Sequence, residues 1–282
     1  MKKIALINDL SGFGKCSLTA AIPVISVMGI QACPFPTAVL SSQTGFQNYI
    51  CCDFTEHMNR FTDHWEQMEV SFDGIYSGYL AGEQQIEKVE YFLEKFRKED
   101  TIYLADPVMG DHGEFYSMFR KEFMQKMKAL TMKADVVTPN LTELCMLTEK
   151  DYKEITSYYK ETNYIDIIHG VCKKLLAQSE RQQTVVVTGI LREKDGKEYV
   201  GNLAVSEKES FYMENLYTGL GFSGTGDLFA SVICGSLVKG ENIFGAVAKA
   251  AYFLQDAIEE ATREKSPTAH GVCFEKYLSR LL

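Results

Sequence analysis

The chain has 282 residues, a length that suits one large α/β domain or two small ones. It carries 29 Lys and Arg residues against 38 Asp and Glu residues, with a net charge of -9 and no dense basic block. This balance argues against a surface for nucleic acid or an anionic membrane, but not against a nucleotide pocket. No apolar run is long enough to cross a membrane. The eight cysteines form no CxxC pair, which favours reduced thiols in a cytosolic protein.

Strand-like and helix-like runs alternate along most of the chain. The strand-like runs cover residues 4–8, 31–36, 72–79, 101–105, 135–138 and 184–187. The helix-like runs cover residues 17–28, 53–68, 83–98, 117–132, 142–148, 164–178, 244–261 and 273–282. Asp195-Gly196 is a hairpin signal, and antiparallel strands follow at 203–205 and 210–213. The expected fold is therefore α/β, a three-layer αβα sandwich with a mostly parallel central sheet and a few antiparallel edge strands, built as one domain over residues 1–282.

The most informative stretch is Gly219-Leu220-Gly221-Phe222-Ser223-Gly224-Thr225-Gly226-Asp227, in which four glycines lie within eight residues. Glycine lets the backbone approach a ligand with no Cβ in between. An apolar run with helical spacing follows, so a helix opens at about Thr225 and leaves its first N–H groups unpaired. Such groups attract anions, and the stretch therefore predicts a phosphate site at a helix N-terminus.

Asp227, next to the last of these glycines, has two interpretations. A carboxylate near a helix N-terminus is ordinarily a favourable dipole partner or a cap. Alternatively, Asp227 accepts a proton from a hydroxyl that attacks a phosphoryl group held by the same amides. Neither a P-loop nor a dinucleotide fingerprint competes for the phosphate role. The run Ser11-Gly12-Phe13-Gly14-Lys15-Cys16-Ser17 has the wrong spacing, and the glycine-rich stretch comes late in the chain.

Polar residues follow several of the predicted strands. In a parallel sheet these ends share one edge, where ligands bind, although ordinary loop capping is the alternative at any single position. Asp106 and Asp111 are spaced to hold Mg²⁺, directly or through water. Carboxylates near a phosphate site repel the substrate unless a metal is present, so the metal is part of the hypothesis. The full set is Asp9, Ser11, Ser77, Tyr79, Asp106, Asp111, Thr138, Asn140 and Thr188.

Asn140 and Glu143 stand three residues apart where a predicted strand gives way to a helix. If Asn140 caps that helix, Glu143 occupies its N3 position, one turn away on the same face. The pair is therefore either a plain capping box or part of the proposed metal site.

Four motifs together carry a resemblance to a known family. They are Gly224-Thr225-Gly226-Asp227-Leu228-Phe229, Asp106-Pro107-Val108-Met109-Gly110-Asp111, Thr138-Pro139-Asn140-Leu141-Thr142-Glu143, and the early Ser11 with Thr44-Gly45. Over nearly its whole length the chain resembles the ribokinase-like small-molecule kinases, and within them the pyridoxal (vitamin B6) kinases. The resemblance implies that ATP phosphorylates the 5′-hydroxymethyl group of pyridoxal, pyridoxine or pyridoxamine. It also implies a homodimer, while the composition predicts a cytoplasmic protein that binds neither nucleic acid nor membrane.

The resemblance also implies a role for each motif residue. Asp227 is implied to be the base on the substrate hydroxyl, and the amides of Gly224, Thr225 and Gly226 to hold the transferring phosphoryl group. The other implied roles are Mg²⁺ binding by Asp106, Asp111 and Glu143, nucleotide contacts from Asp106, Asn140, Thr188 and Gly221, a monovalent cation (K⁺ or Na⁺) near Thr138 and Thr188, and ring contacts from Ser11, Thr44 and Tyr79.

The chain departs from this family pattern in two places. The flap after Asp111 is shorter than in the animal enzymes, and Asp9-Leu10-Ser11-Gly12 replaces a common Gln-Ser-His version, so the ring contacts stay open. Hydroxymethylpyrimidine kinase of thiamine synthesis is the alternative on the same fold, although it often carries cysteine at the position of Asp227. A sugar or nucleoside kinase would add a lid after the second strand. A non-catalytic nucleotide-binding regulator would not need Asp227 together with Asp106 and Glu143.

Overall fold

The computed structural model of the protein describes residues 1–116, 121–179 and 181–282. It contains two compact units, one made of residues 1–104 with 218–282 and the other of residues 105–217. The single domain expected over residues 1–282 stays a prediction. Residues 117–120, which begin the helix predicted for 117–132, lie outside the described residues.

The strands of the described chain are numbered in chain order. Those of the first unit are β1 (Lys3–Ser11), β2 (Gln31–Leu40), β3 (Cys51–Asp53), β4 (Gly74–Ser77) and β5 (Ile102–Ala105), which ends at the unit boundary. Those of the second unit are β6 (Gly110–Asp111), β7 (Glu114–Phe115), β8 (Val136–Val137), β9 (Thr184–Lys194), β10 (Lys197–Val205) and β11 (Ser210–Leu216).

The helices alternate with these strands, as the hydrophobic pattern predicts. They are α1 (Ser17–Val27), α2 (Thr55–Gln67), α3 (Glu83–Phe96), α4 (Lys121–Thr131), α5 (Leu141–Thr148), α6 (Tyr152–Thr156), α7 (Tyr164–Leu176), α8 (Thr225–Lys239) and α9 (Ile243–Arg263). Two 3₁₀ segments follow, Thr268–His270 and Phe274–Leu281, the second in place of the predicted terminal α-helix. Among the residues that the structure describes, no helix is both long and apolar enough to span a membrane.

The strand order in the first unit is β5-β4-β1-β2-β3. β1 runs parallel to β2 and β4, and the short β3 pairs antiparallel with β2 at the edge. The predicted strand ends at residues 8 and 36 are too early, because Leu10 pairs with Val39 and Ser11 with Leu40. The extension places buried polar side chains of β1 inside the sheet, where the hydrophobic pattern alone would end it.

The strand order in the second unit is β11-β10-β9-β8. β8 is parallel to β9, whereas β9, β10 and β11 pair antiparallel in sequence. The predicted hairpin is confirmed, since Asp195 and Gly196 have positive φ values of 53° and 71° between β9 and β10. β6 and β7 form a separate two-stranded antiparallel ribbon. The predicted mixture of parallel central strands and antiparallel edge strands is therefore confirmed.

Candidate active site

The glycine-rich stretch of the first unit ends at the start of α8, as predicted. Gly224 is the N-cap of this helix, with a φ of 79° and no side-chain cap. A Cβ at Gly224 would overlap the Lys15 carbonyl oxygen, so only glycine fits there. At Gly221 and Gly226 a Cβ would meet no atom within 4 Å. The first turn of α8 therefore offers backbone N–H groups in open space, which is the geometry of an anion site.

Asp227 lies in the first turn of α8, and its carboxylate is held by groups from β1 and β4. The Asn8 amide donates to Oδ1 at 3.0 Å, and the Tyr76 hydroxyl donates to the same oxygen at 3.4 Å. Burial raises the pKa of the Asp227 carboxyl to about 6. A hydrogen bond from the Ser17 backbone opposes this rise, and the charge of Asp9 adds to it. A carboxylate in this state is a suitable proton acceptor near neutral pH.

Ser11, a predicted ring contact, is buried and donates to Asp9 Oδ2 at 2.8 Å. Burial also raises the pKa of Asp9, while hydrogen bonds from Ser17 and Ser11 oppose the rise. The nearby Cys16 thiol is neutral at physiological pH, because burial, with the charges of Asp227 and Asp9, raises its pKa to about 12. The first unit thus brings Ser11 close to Asp9 and Asp227.

Tyr79 and Thr44, the other predicted ring contacts, have different surroundings. Tyr79 is half-buried, and its phenol has a raised pKa because of burial and the charge of Asp9. Thr44 is exposed, and its neighbour Gln43 is the buried residue of that loop. Gln43 donates to the Ala269 carbonyl at 3.0 Å and accepts from the Gly45 N–H at 2.6 Å. Gln43 therefore fixes the loop, and the role of Thr44 stays a prediction.

In the second unit, Asn140 and Glu143 form the capping box that the sequence allows. The Asn140 side chain accepts from the Glu143 N–H at 2.9 Å, and Glu143 Oε2 accepts from the Asn140 N–H at 2.8 Å. The other Glu143 oxygen accepts from the Met109 N–H at 3.1 Å, and the Asn140 amide donates to the Gly110 carbonyl at 2.8 Å. The two side chains therefore fix the segment after β5 against the start of α5.

Glu143 lies near both aspartates predicted to bind the metal. Its pKa is raised well above the ordinary value, mainly by burial and then by the charge of Asp106, with a smaller contribution from Asp111. Asp111 itself is half exposed and accepts from its neighbour His112. Three carboxylates in one region destabilise each other's charges, and a cation would relieve this repulsion.

The described residues contain no group of three His, Cys, Asp or Glu side chains close enough to hold a metal by themselves. Mg²⁺ typically takes one or two protein carboxylates and completes its shell with water and substrate phosphates. Asp106, Asp111 and Glu143 fit that kind of site, since all supply oxygen and raise the local negative charge. Their role as metal ligands stays a prediction.

Thr138 and Thr188 were predicted near a monovalent cation. Thr138 is buried, and within the described part of the chain its Oγ1 has no hydrogen-bond partner. A buried hydroxyl oxygen without a donor is costly, so this atom fits an oxygen ligand for a cation or water. Thr188 pairs with Asn140 through an isolated parallel bridge, and its N–H donates to the Pro139 carbonyl at 3.0 Å. The structure therefore brings Thr188 to Asn140, and the nucleotide contacts of both residues stay a prediction.

Sequence reasoning did not select Asn8, Tyr76 or Gln43, although each holds a residue or loop of the candidate site. Asn8 and Tyr76 lie inside runs identified as strands, and Gln43 is one of several polar residues in a loop. For Asn8 the sequence did contain a signal, since this amide ends an apolar run and a buried polar side chain needs a hydrogen-bond partner.

Known proteins with similar sequences and folds are kinases. A pyridoxal kinase PdxY from Aliivibrio fischeri is 26% identical over 252 residues, covering 85% of this chain and 82% of the relative. The crystal structure of pyridoxal kinase from Lactobacillus plantarum is 25% identical, with a TM-score of 0.88, over 100% of this chain and 97% of that one. The three-layer α/β fold is that of the pyridoxal kinase structures.

A third relative, from Bacteroides thetaiotaomicron, is provisionally described as a phosphomethylpyrimidine kinase and was crystallised with pyridoxal. It is 35% identical, with a TM-score of 0.90, over 99% of this chain and 95% of that one. The family model for phosphomethylpyrimidine kinase matches residues 16–271. The resemblance to ribokinase-like B6 kinases is thus confirmed, and the chain belongs to the phosphomethylpyrimidine kinase family.

Proposed function

We propose that the protein is an ATP-dependent kinase that phosphorylates the 5′-hydroxymethyl group of pyridoxal, pyridoxine or pyridoxamine. One observation carries the proposal. Asp227, with a pKa of about 6, lies in the first turn of α8, directly after the glycines that leave the helix N-terminus open. A proton acceptor and an anion site are thereby joined in three consecutive residues, Thr225, Gly226 and Asp227, which is what transfer of a phosphoryl group to an alcohol requires.

In this proposal Asp227 accepts the proton of the substrate hydroxyl as its oxygen attacks the γ-phosphorus of ATP. The O–P bond to the substrate forms while the bond to the leaving ADP oxygen breaks, and the proton stays on the Asp227 carboxyl. The N–H groups of Gly224, Thr225 and Gly226 stabilise the negative charge on the transferring group. Ser11, Tyr79 and Thr44 are proposed to orient the pyridine ring.

Most of the proposed contacts to ATP and its metal ions come from the second unit. Asp106, Asp111 and Glu143 would hold Mg²⁺, which neutralises phosphate charge when it is bound. Thr138, whose buried hydroxyl has no partner within the described chain, would face a monovalent cation, K⁺ or Na⁺. Contacts to ATP are assigned to Asp106, Asn140 and Thr188 of this unit, and also to Gly221 of the first unit. The assignment of the metal and nucleotide residues rests on the family resemblance and on the charge and burial described above.

Hydroxymethylpyrimidine kinase is the second candidate function. It is favoured by the family model, which is named for phosphomethylpyrimidine kinase, and by the related chemistry of a hydroxymethyl group on a nitrogen-containing ring. The B6 assignment is supported more strongly, because Asp227 stands where those enzymes often carry cysteine. Pyridoxal in the crystals of the Bacteroides thetaiotaomicron relative also supports it.

The decisive experiment compares kcat/KM for pyridoxal, pyridoxine, pyridoxamine and hydroxymethylpyrimidine with ATP and Mg²⁺. The proposal expects one of the three vitamers to be the best substrate, with formation of its 5′-phosphate. A higher kcat/KM for hydroxymethylpyrimidine would transfer the assignment to the second candidate. Binding of ATP with no acceptor-dependent turnover would indicate a regulator. Chelation of Mg²⁺ in the same assay should abolish transfer.

The proposal extends to a homodimer in the cytoplasm. The dimer is supported by the family resemblance, and the cytoplasmic location by reduced cysteines and the acidic composition. Sedimentation equilibrium checks the dimer, since a dimer has twice the chain mass of 31.8 kDa. Cell fractionation with an antibody to the untagged protein checks the location.

A further inference from the structure

Asn8 is fully buried in β1, and its side-chain amide makes three hydrogen bonds. Its oxygen accepts from the Asp9 N–H at 3.0 Å and from the Tyr79 N–H at 2.8 Å. Both partners are backbone donors, so the oxygen of the amide must face them and the nitrogen must face the other way. That nitrogen donates to Asp227 Oδ1 at 3.0 Å. The orientation of the amide is therefore fixed by its chemistry.

The surroundings leave the amide little room to move. A Cβ at Gly78, the residue after β4, would overlap the Asn8 amide, so the glycine lets the two strands close around it. The Gly78 N–H donates to the Ile7 carbonyl at 2.9 Å, which joins the ends of β1 and β4 next to Asn8. A rigidly held donor from one strand therefore points at the carboxylate on α8.

We propose that Asn8 is a positioning residue for Asp227, which holds Oδ1 of the carboxylate in place so that the carboxylate can accept the substrate proton. This inference rests on the proposed function. The Tyr76 hydroxyl also donates to Oδ1, at 3.4 Å, so two side-chain donors converge on one oxygen. A base held in this way is preorganised, so it needs little reorientation when the substrate binds.

The groups that face Asp227 define how its protonation responds to Asn8. From β1 come Asn8 and the carboxylate of Asp9, and from β4 comes the Tyr76 hydroxyl. The Cys16 thiol and the Ser17 N–H come from the start of α1. The charge of Asp9 favours protonation of Asp227, whereas the Asn8 amide favours the ionised form. Loss of the Asn8 donor must therefore move the pKa of Asp227 upward.

The first experiment uses the wild-type protein without substrate, so it does not depend on the proposed function. NMR follows the side-chain amide resonances of Asn8 and the carboxyl carbon of Asp227 between pH 4 and pH 8, a window of about two pH units on either side of the expected midpoint. Both are expected to titrate with the same midpoint, about 6. In Asp227→Asn the Asn8 resonances should lose the transition with a midpoint of about 6. An Asn8 amide that is already insensitive to pH in the wild type would overturn the proposal.

The second experiment measures the pH dependence of kcat for Asn8→Asp. This variant keeps an oxygen for the Asp9 and Tyr79 N–H groups but places a carboxylate oxygen against Asp227. Two carboxylates in contact share a proton, so the rising limb should move to higher pH by at least about one pH unit. At pH 7 kcat should fall about twofold for a shift of one unit and about tenfold for a shift of two, with recovery at alkaline pH. A fall in kcat by the same factor at every pH would indicate a merely structural role and overturn the proposal.

Gln85→Glu is the matched control. Gln85 is another buried amide of the first unit, which donates to the Thr37 carbonyl at 2.8 Å and accepts from the Ala81 N–H at 2.8 Å. Both variants should lose thermal stability, but the control should keep the rising limb of kcat at the same pH as in the wild type. If the wild type phosphorylates none of the B6 vitamers, the proposed function fails. The NMR titration then still decides whether Asn8 positions Asp227.

Discussion

Asp227 in the first unit and Glu143 in the second are acids in the first turn of a helix, the first half-buried and the second buried, yet their carboxylates have different partners. Both oxygens of Glu143 accept backbone N–H groups, one from Asn140 and one from Met109. Asp227 takes part in no capping box, because the N-cap of its helix is Gly224, which has no side chain. Its side-chain partners are Asn8 and Tyr76, which donate from β1 and β4. The same placement on a helix thus produces a capping box in one unit and a carboxylate held by strand side chains in the other.

The comparison shows why position on a helix does not define the role of an acid. A capping carboxylate is committed to backbone donors whose positions are fixed by the helix, and its removal costs stability. The Asp227 carboxylate is instead held by donors from other elements, the Asn8 amide, the Tyr76 hydroxyl and the Ser17 N–H, and caps no helix of its own. Glu143 is therefore expected to combine structure with metal binding, and Asp227 to act in catalysis.

The largest expected effect is on Asp227. Asp227→Asn should lower kcat by about 10²–10⁴-fold, because the base is lost while the shape is kept. ATP binding, measured by calorimetry, should survive. Since burial raises the pKa of the folded-state carboxyl, its ionised form destabilises the fold at neutral pH, and the variant should melt a few degrees higher. Glu56→Gln, at an exposed acid in the first turn of α2, is the control. Near-wild-type kcat would remove Asp227 from the mechanism.

The second prediction concerns pH. Asp227 works as an acceptor only when ionised, and its pKa is raised from 3.8 to about 6. kcat/KM should therefore be level above this pKa and fall tenfold for each pH unit below it. The stability contribution has the opposite sign: protonation of the folded state favours it, so this group adds stability as pH falls from 6 towards 3.8. If kcat/KM begins to fall only near pH 4, the pKa of the Asp227 carboxyl is not raised by burial.

The fold, the open start of α8 and the capping box of α5 could all be predicted from the sequence. The alternation of strand and helix patterns predicted the α/β fold, and four glycines before an apolar helix predicted the open start of α8. The spacing of Asn140 and Glu143 predicted a capping box. These features are local, since turn chemistry and capping depend on residues a few positions apart.

The partners of Asp227 could not be predicted in the same way. Asn8 is 219 residues away from Asp227 in sequence, and Tyr76 is 151 residues away. Their side chains look like ordinary strand residues until the strands are placed beside each other. The extensions of β1 and β2 were missed for a related reason, because polar Asp9 and Ser11 are stabilised in the sheet by each other rather than by an apolar environment.

The third prediction separates the fold from the anion site in the first unit. Gly224→Ala should destabilise the protein by about 2–4 kcal/mol, because Cβ overlaps the Lys15 carbonyl and the φ is positive. Gly226→Ala should keep the wild-type melting temperature or raise it, since a Cβ there meets nothing and alanine favours a helix. If a phosphoryl group approaches the Gly226 amide closely, the second variant is folded but has a raised KM for ATP. Wild-type kinetics for Gly226→Ala would move the anion site away from this residue.

The smallest expected effect is on Glu143, where structure and metal binding are tested against each other. Glu143→Gln leaves one of the two N–H partners facing an amide nitrogen, which should cost about 1–3 kcal/mol of stability in urea titrations. The concentration of Mg²⁺ for half-maximal rate should also rise several-fold, because a negative charge beside Asp106 is lost. Asp151→Ala is the matched control, since it removes an exposed N-cap from α6 in the same unit without touching the acids. A variant that loses stability like this control and keeps the wild-type Mg²⁺ titration would make Glu143 a capping residue alone, and the metal would then depend on Asp106 and Asp111.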